Sequence, residues 1–163
     1  MTISFYVSGE PKAQPRPKAF ARKMGETYVA RVYTPGTAEH WKTMIADAAR
    51  KAGITKTTGP VALEMYFNFK RPKSHLRSNG QLRESAPLWH MQKPDFDNLE
   101  KAVVDALTVI GAWDDDAQIV DVRTAKNWSI AGWPGGCSIT IMGLEQGDPR
   151  RGEPASDSPS PTP

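Results

Sequence analysis

The sequence predicts an α+β fold: a single domain in which a mixed β-sheet is packed with two main helices. Three observations carry this. Val61, Leu63, Met65, Phe67 and Phe69 alternate along one stretch, the period of a half-buried strand. Leu99, Ala102, Val103, Ala106, Leu107 and Ile110 recur at helical spacing and form one apolar stripe. Runs of both kinds follow one another within 163 residues, a length suited to one compact domain.

In chain order, residues 2–7 (TISFYV) predict a first strand, rich in β-branched and aromatic side chains. The next stretch, GEPKAQPRPKAFARKMGETYV, carries three prolines and a cluster of Lys and Arg, and reads as an extended loop. Tyr28 to Tyr33 reads as a strand or hairpin arm. A helix is expected from about Thr37, as N-cap, to Ala52, with Trp41, Ile45, Ala48 and Ala49 on one face and Gly53 as its stop. After the strand 61–69 comes a long basic loop, residues 70–94, of a length that in compact domains usually serves function. The second helix is expected to start at Asp97 as N-cap, with Glu100 completing a capping box, and to end at Gly111. Residues 119–128 and 137–144 predict two final strands joined by the turn AGWPGG. The domain is placed at 1–146, and the Pro/Ser-rich segment 147–163 is expected to be a disordered tail.

Composition narrows the class. Apolar content of 39% and charged content of 24% are ordinary for a water-soluble domain. No apolar run approaches the roughly 20 residues of a membrane span. The opening MTISFYVSGE lacks the pattern of a secretory signal. One cysteine, Cys137, excludes an internal disulfide framework and a cysteine-based zinc site. The expected setting is therefore reducing and cytoplasmic. The net charge of +3 hides a split: residues 1–94 balance to +10 and residues 95–163 to −7. That fits a polyanion-facing half joined to a cation-binding half, and equally a solvated surface of uneven charge.

The acidic half holds the chemistry. Asp95 and Asp97 stand two apart in a chain entering a helix, so in an extended segment they share a face. Lys101 follows four residues after Asp97, and Asp114, Asp115 and Asp116 follow the helix. Hard divalent cations take several carboxylate oxygens, and metal-assisted phosphodiester cleavage uses such a set. A cap with a solvated acid would look the same, and Lys101 could pair with Asp97 or Asp105 along the helix. An EF-hand loop fails, because Glu100 stands where its glycine is required.

The block KPDFDNLEKAVVDALT followed by GAWDDDAQIVD resembles the RusA family of Holliday junction resolvases, in its phage-type branch. The family pattern D-x-D-N-x-x-K-x-x-x-D-A-L, then D-D-x-Q-V, is met by Asp95, Asp97, Asn98, Lys101, Asp105, Ala106 and Leu107, then Asp115, Asp116, Gln118 and Ile119. The spacing fits without a gap, and the resemblance covers most of residues 3–145. It implies a Mg²⁺-dependent homodimer, with Mn²⁺ as a substitute, that resolves four-way DNA junctions by paired symmetric nicks in recombination and repair. It further implies 5′-phosphate and 3′-hydroxyl ends, and a bacterial or phage-infected cell as the setting. The implied catalytic residues are Asp95, Asp97, Lys101 and Asp116; the metal ligands are Asp95, Asp97 and Asp116, with Asp115 as an adjacent acid. Lys101 would stabilise charge on the phosphorane or assist the attacking water.

The basic segments supply DNA-binding candidates: Arg16 and Lys18 in the first loop, Lys70, Arg71 and Lys73 in the second, Lys93 beside the acids, and Lys126. Proline neighbours stiffen the loops at Arg16 and Lys73. Trp113, Trp128 and Trp133 are candidate wedges or dimer contacts, with core packing the competing role, most of all for Trp128. Two other functions stay open: a nuclease for flaps or forks, and a catalytically inactive junction-binding protein. The intact acid set argues against the latter.

Overall fold

The computed structural model describes residues 1–145. The expected boundary at 146–147 and the tail lie outside the described residues. Six strands and two helices follow in the order β1 (Thr2–Ser8), β2 (Lys18–Met24), β3 (Thr27–Tyr33), α1 (Glu39–Lys51), β4 (Val61–Phe69), α2 (Phe96–Val109), β5 (Ile119–Trp128) and β6 (Gly135–Gly143). Four strands form one sheet in the order β1-β6-β4-β5, while β2 and β3 pair only with each other. β4 and β5 are parallel and the other neighbours antiparallel, so the sheet is mixed.

Alternation makes the sheet two-sided. In register, Ile3, Phe5 and Val7 stand beside Ile141, Ile139 and Cys137, which stand beside Leu63, Met65 and Phe67. This continuous apolar face receives Trp41, Ile45 and Ala49 of α1 and the stripe Leu99, Ala102, Val103, Ala106 and Leu107 of α2. Each Leu- or Met-sized side chain so buried stabilises by about 1.5–3 kcal/mol relative to exposure. The opposite face is polar: Ser4 Oγ and Thr140 Oγ1 lie 2.9 Å apart, and Tyr6 donates its hydroxyl to Gly135 O. The expected α+β class, with two helices on a mixed sheet, stands.

Local boundaries differ: β6 begins at Gly135, inside the expected turn AGWPGG, and three earlier places depart as well. The proline-rich stretch was expected to be a loop throughout, yet Lys18–Met24 pairs with Thr27–Tyr33 as a hairpin. Its prolines all precede the strand and Gly25 supplies the turn, so nothing in 18–24 opposes pairing. At α1 the N-cap is Ala38, not Thr37, and no side chain bonds to it. At α2 the N-cap is Asp95 and Asp97 sits in the first turn, so the expected capping box with Glu100 does not form. Negative charge in that turn is nevertheless favoured by the helix dipole. The far end agrees with expectation: Gly111, at φ +76°, follows the last turn, and Ala112 N–H donates to Leu107 O at 3.1 Å.

Trp113 is a core residue and neither a wedge nor a dimer contact: it is 2% exposed, and its indole donates to Thr108 Oγ1 at 2.8 Å. Trp128 is partly buried against the core, Trp41 is fully within it, and Trp133 is exposed.

Gly135 starts β6 at φ +96°, and a Cβ there would come within 2.6 Å of Asn68 O on β4. Both the backbone angle and the approach exclude other residues. Gly135→Ala is expected to lower unfolding free energy by about 2 kcal/mol or more, read as a shift of the urea midpoint; an unchanged midpoint would show that β4 and β6 can separate at this point without loss.

Candidate active site

The sheet delivers two chain segments to one end of α2. β4 ends at Phe69 and the 70–94 loop returns along the outer edge of β5, where His90 N–H donates to Lys126 O and Trp128 N–H to Leu88 O. Arg71 holds the loop from inside, donating to Ser129 O at 2.7 Å and Pro87 O at 2.8 Å. Lys126 holds its end: Nζ donates to Gln92 O at 2.6 Å and Pro94 O at 2.5 Å. The chain then enters α2 with Asp95 extended, at φ −70° and ψ 144°.

Asp95 and Asp97 consequently line one open cavity of about 520 Å³, together with Met91, Gln92, Lys93, Phe96 and Lys126. Both acids are exposed, and Met91 and Phe96 form an exposed apolar rim. Asp97 Oδ1 accepts from Asn98 Nδ2 at 3.0 Å, and Oδ2 faces Arg16 Nη2 at 3.3 Å. Arg16 is brought there by Gln14, whose N–H donates to Asn98 O at 2.8 Å and fastens the proline-rich loop to α2. Burial lowers the pKa of Lys126, and the Asp95 carboxylate works in the opposite direction.

Lys101 lies one turn further along α2. It is exposed and donates to Asp105 Oδ1 at 3.1 Å, resolving the two pairings the spacing allowed. Lys18, Lys70, Lys73 and Lys93 are exposed. Arg71 and Lys126 already donate to backbone carbonyls, Arg71 to Ser129 O and Pro87 O and Lys126 to Gln92 O and Pro94 O.

The acidic turn sits at the opposite end of α2. Gln118 anchors it, donating to Thr57 O and Gly59 O at the start of β4 and accepting from the N–H groups of Asp114 and Asp115. Asp114 pairs with Lys56, and Asp115 caps the 3₁₀ turn by accepting from Ala117 N–H at 2.8 Å. The Asp116 carboxylate is exposed and has no hydrogen-bond or ionic partner among the described residues. Fourteen helical residues separate the two ends, about 20 Å at 1.5 Å each. Among the described residues no three His, Cys, Asp or Glu side chains come together to hold a cation. One chain thus brings Asp95 and Asp97 together and leaves Asp116 apart. The capping role of Asp115 and the anchoring role of Gln118 were not foreseen; the capping-box spacing Asp115-x-x-Gln118 was the available signal.

Comparison with known proteins bears on this arrangement. The family described as endodeoxyribonuclease RusA matches residues 8–142. The chain belongs to the RusA family. Several known proteins are similar to it across most of their own length. The uncharacterized protein YqaN of Bacillus subtilis (strain 168) is 33% identical over 130 residues, covering 78% of this chain and 88% of that protein. The crossover junction endodeoxyribonuclease RusA of Escherichia coli (strain K12) is 48% identical over 110 residues, 53% of this chain and 92% of that one. The protein of the same description from Enterobacteria phage 82 is 30% identical over the same lengths. No helix among the described residues is long and apolar enough to cross a membrane.

His90 beside this site gives a pH-dependent test. It is buried, stacked on Phe69 at 3.9 Å and tilted against Trp128 at 4.4 Å between ring centroids. Burial, then the Lys126 ammonium, hold its pKa below the ordinary 6.5. The unfolded chain therefore takes up this proton first as pH falls, and stability is lost from about 6.5 down through the lower folded value. In urea titrations between pH 8 and 5, His90→Phe is expected to lose less stability on acidification than the wild type. Identical acid-side losses would show that His90 does not titrate with folding.

Proposed function

We propose that this protein is a Mg²⁺-dependent endonuclease that resolves four-way DNA junctions by paired nicks, working as a homodimer. The observation that carries the reading is the pair Asp95 and Asp97 on one open cavity, with basic segments around it, in a chain of the RusA family. The donor chemistry fits the ion: Mg²⁺ takes oxygen ligands, keeps several waters and is commonly held by one or two carboxylates.

The separation of Asp116 supports the dimer. If Asp116 serves the same site as Asp95 and Asp97, a second copy must deliver it, since the length of α2 keeps the two ends apart. A two-fold arrangement with the α2 helices antiparallel would meet this need twice, giving two equivalent sites. β5 is the sheet's edge strand; the 70–94 loop borders only its second half, and Val120 and Val122 in the first half are exposed. An edge of this kind suits pairing with another chain.

When bound, Mg²⁺ would polarise the scissile phosphate and lower the pKa of an attacking water. The chain's own residues have distinct tasks. Asp95 and Asp97 hold their carboxylates towards the cavity, and Lys126 fixes the 92–94 backbone from which Asp95 emerges. Arg16 is held near Asp97 by an exposed pair worth at most about 1 kcal/mol, so an arriving phosphate can take over its guanidinium. Lys93 and Lys73 add positive charge along the strand path. Lys101 stabilises charge on the phosphorane or assists the water.

The test is cleavage of a synthetic four-way junction beside flaps and linear duplex, with Mg²⁺ and with EDTA. Metal-dependent paired nicks on the junction are expected; equal cutting of flaps would replace the resolvase reading by a broader branched-DNA nuclease, and binding without cutting by a junction-binding protein. Asp97→Asn and Asp116→Asn are each expected to abolish cutting while retaining binding. Mixing the two variants under subunit exchange should restore single nicks, because one site of each mixed dimer keeps every acid. No recovery in exchanged mixtures would mean that each chain builds its site alone.

A further inference from the structure

The β2–β3 ribbon stands outside both the four-stranded sheet and the core, and every residue of its two strands is exposed. A lone two-stranded ribbon is marginal in water, so its side chains must be explained by something other than packing. The register divides them unequally. One face carries Lys18, Phe20 and Arg22 with Val29, Arg31 and Tyr33; the other carries three alanines, Val32, Lys23 and Tyr28. Three of the four cations and two of the three rings therefore share a face. Phe20 and Tyr33 meet edge-on there at 6.3 Å, both about half exposed, and Phe20, Arg22, Met24, Val29 and Arg31 line a shallow hollow of about 200 Å³. The ribbon's one acid, Glu26, is in the turn.

Its root adjoins the acidic cavity. Arg16, two residues before β2, faces Asp97, so Lys18, Arg31 and Tyr33 leave the body of the protein close to the candidate site. From there seven residues per strand reach out about 20 Å. Rings interleaved with cations on an open face suit unpaired nucleotides: bases stack on the rings while phosphates pair with the cations, without regard to sequence. A duplex offers phosphates but keeps its bases stacked on each other; a branch point offers both.

We propose that the Phe20–Arg31 face of the ribbon grips unpaired nucleotides at the branch point of DNA, with Phe20 and Tyr33 stacking on bases and Lys18, Arg22 and Arg31 neutralising phosphates. This rests on the branched-DNA reading above and adds the element that selects the branch.

The test uses the full chain, a four-way junction with 2-aminopurine at the branch point, and a linear duplex of the same composition. Phe20→Ala/Tyr33→Ala is expected to weaken junction binding at least about tenfold, to abolish the change in 2-aminopurine emission, and to leave duplex binding within about twofold. Thermal unfolding should be unchanged, since neither ring touches the core. Arg22→Gln/Arg31→Gln, which keeps the rings, should reduce the salt slope of junction binding by roughly 1.5. Wild-type junction affinity and emission in both variants would overturn the proposal while leaving the branched-DNA reading intact. A wild-type dimer that becomes monomeric in Phe20→Ala/Tyr33→Ala would overturn it in favour of a second copy on this face. A wild-type protein with no preference for the junction over duplex would overturn both readings together.

Discussion

The parallel pairing of β4 with β5 is the constraint on which the rest depends. Two parallel neighbours cannot be joined by a tight turn, so the chain must cross back, and here it does so through the 70–94 loop and α2. That crossover puts the two acidic groups at opposite ends of one helix. It also sets the loop beside β5, where Lys126 can hold the carbonyls of Gln92 and Pro94 and thereby present Asp95. The same helix supplies the apolar stripe that closes the core. Fold and site are consequently not separable: shortening α2 to bring the acids together would strip the sheet of its cover.

The site's electrostatics follow from this placement. Asp95 and Asp97 lie at a helix N-terminus, where the dipole favours anions, and they are flanked by Arg16, Lys93 and Lys126. The cations are not equivalent. Lys126 is drawn into the loop's backbone, and its charge helps keep the neighbouring His90 neutral. Arg16 makes one long, exposed contact and can exchange partners cheaply. Charge tied into the loop backbone and charge left free to change partners thus come from different residues, although the sequence presents them as one basic population.

Much of the fold was legible because its signals were periodic. The β4 alternation and the α2 stripe each describe one face of a regular element, and burial follows that face directly. The Asp95-x-Asp97 pair was legible because local geometry decides it. Two features were not. The hairpin strand Lys18–Met24 buries nothing, so it leaves no periodic trace for a reader to find. The start of α2 falls two residues early because the backbone, not the Asp97 side chain, ends the helix. The separation of Asp97 from Asp116 went unread, although the length of the α2 stripe, about 20 Å of helix, already implied it.

Asp114, Asp115 and Asp116 show how backbone geometry separates residues that composition treats alike. The 3₁₀ turn that starts at Asp116 requires a cap, and Asp115 stands where its carboxylate meets the Ala117 N–H. Gln118 closes the turn from the other side and ties it to the start of β4, which brings Asp114 within reach of Lys56. Two carboxylates are thereby committed to holding the turn and to a surface ion pair. The third stands on that same turn and has no side-chain partner among the described residues. A carboxylate that is anchored in backbone but unpaired in side chain is what a shared cation site needs from its far contributor: its position is fixed in advance, and no existing contact has to be broken for it to bind. For the cation site proposed above, Asp116 is thus the acid with an uncommitted carboxylate, and Asp115 caps the turn that carries it.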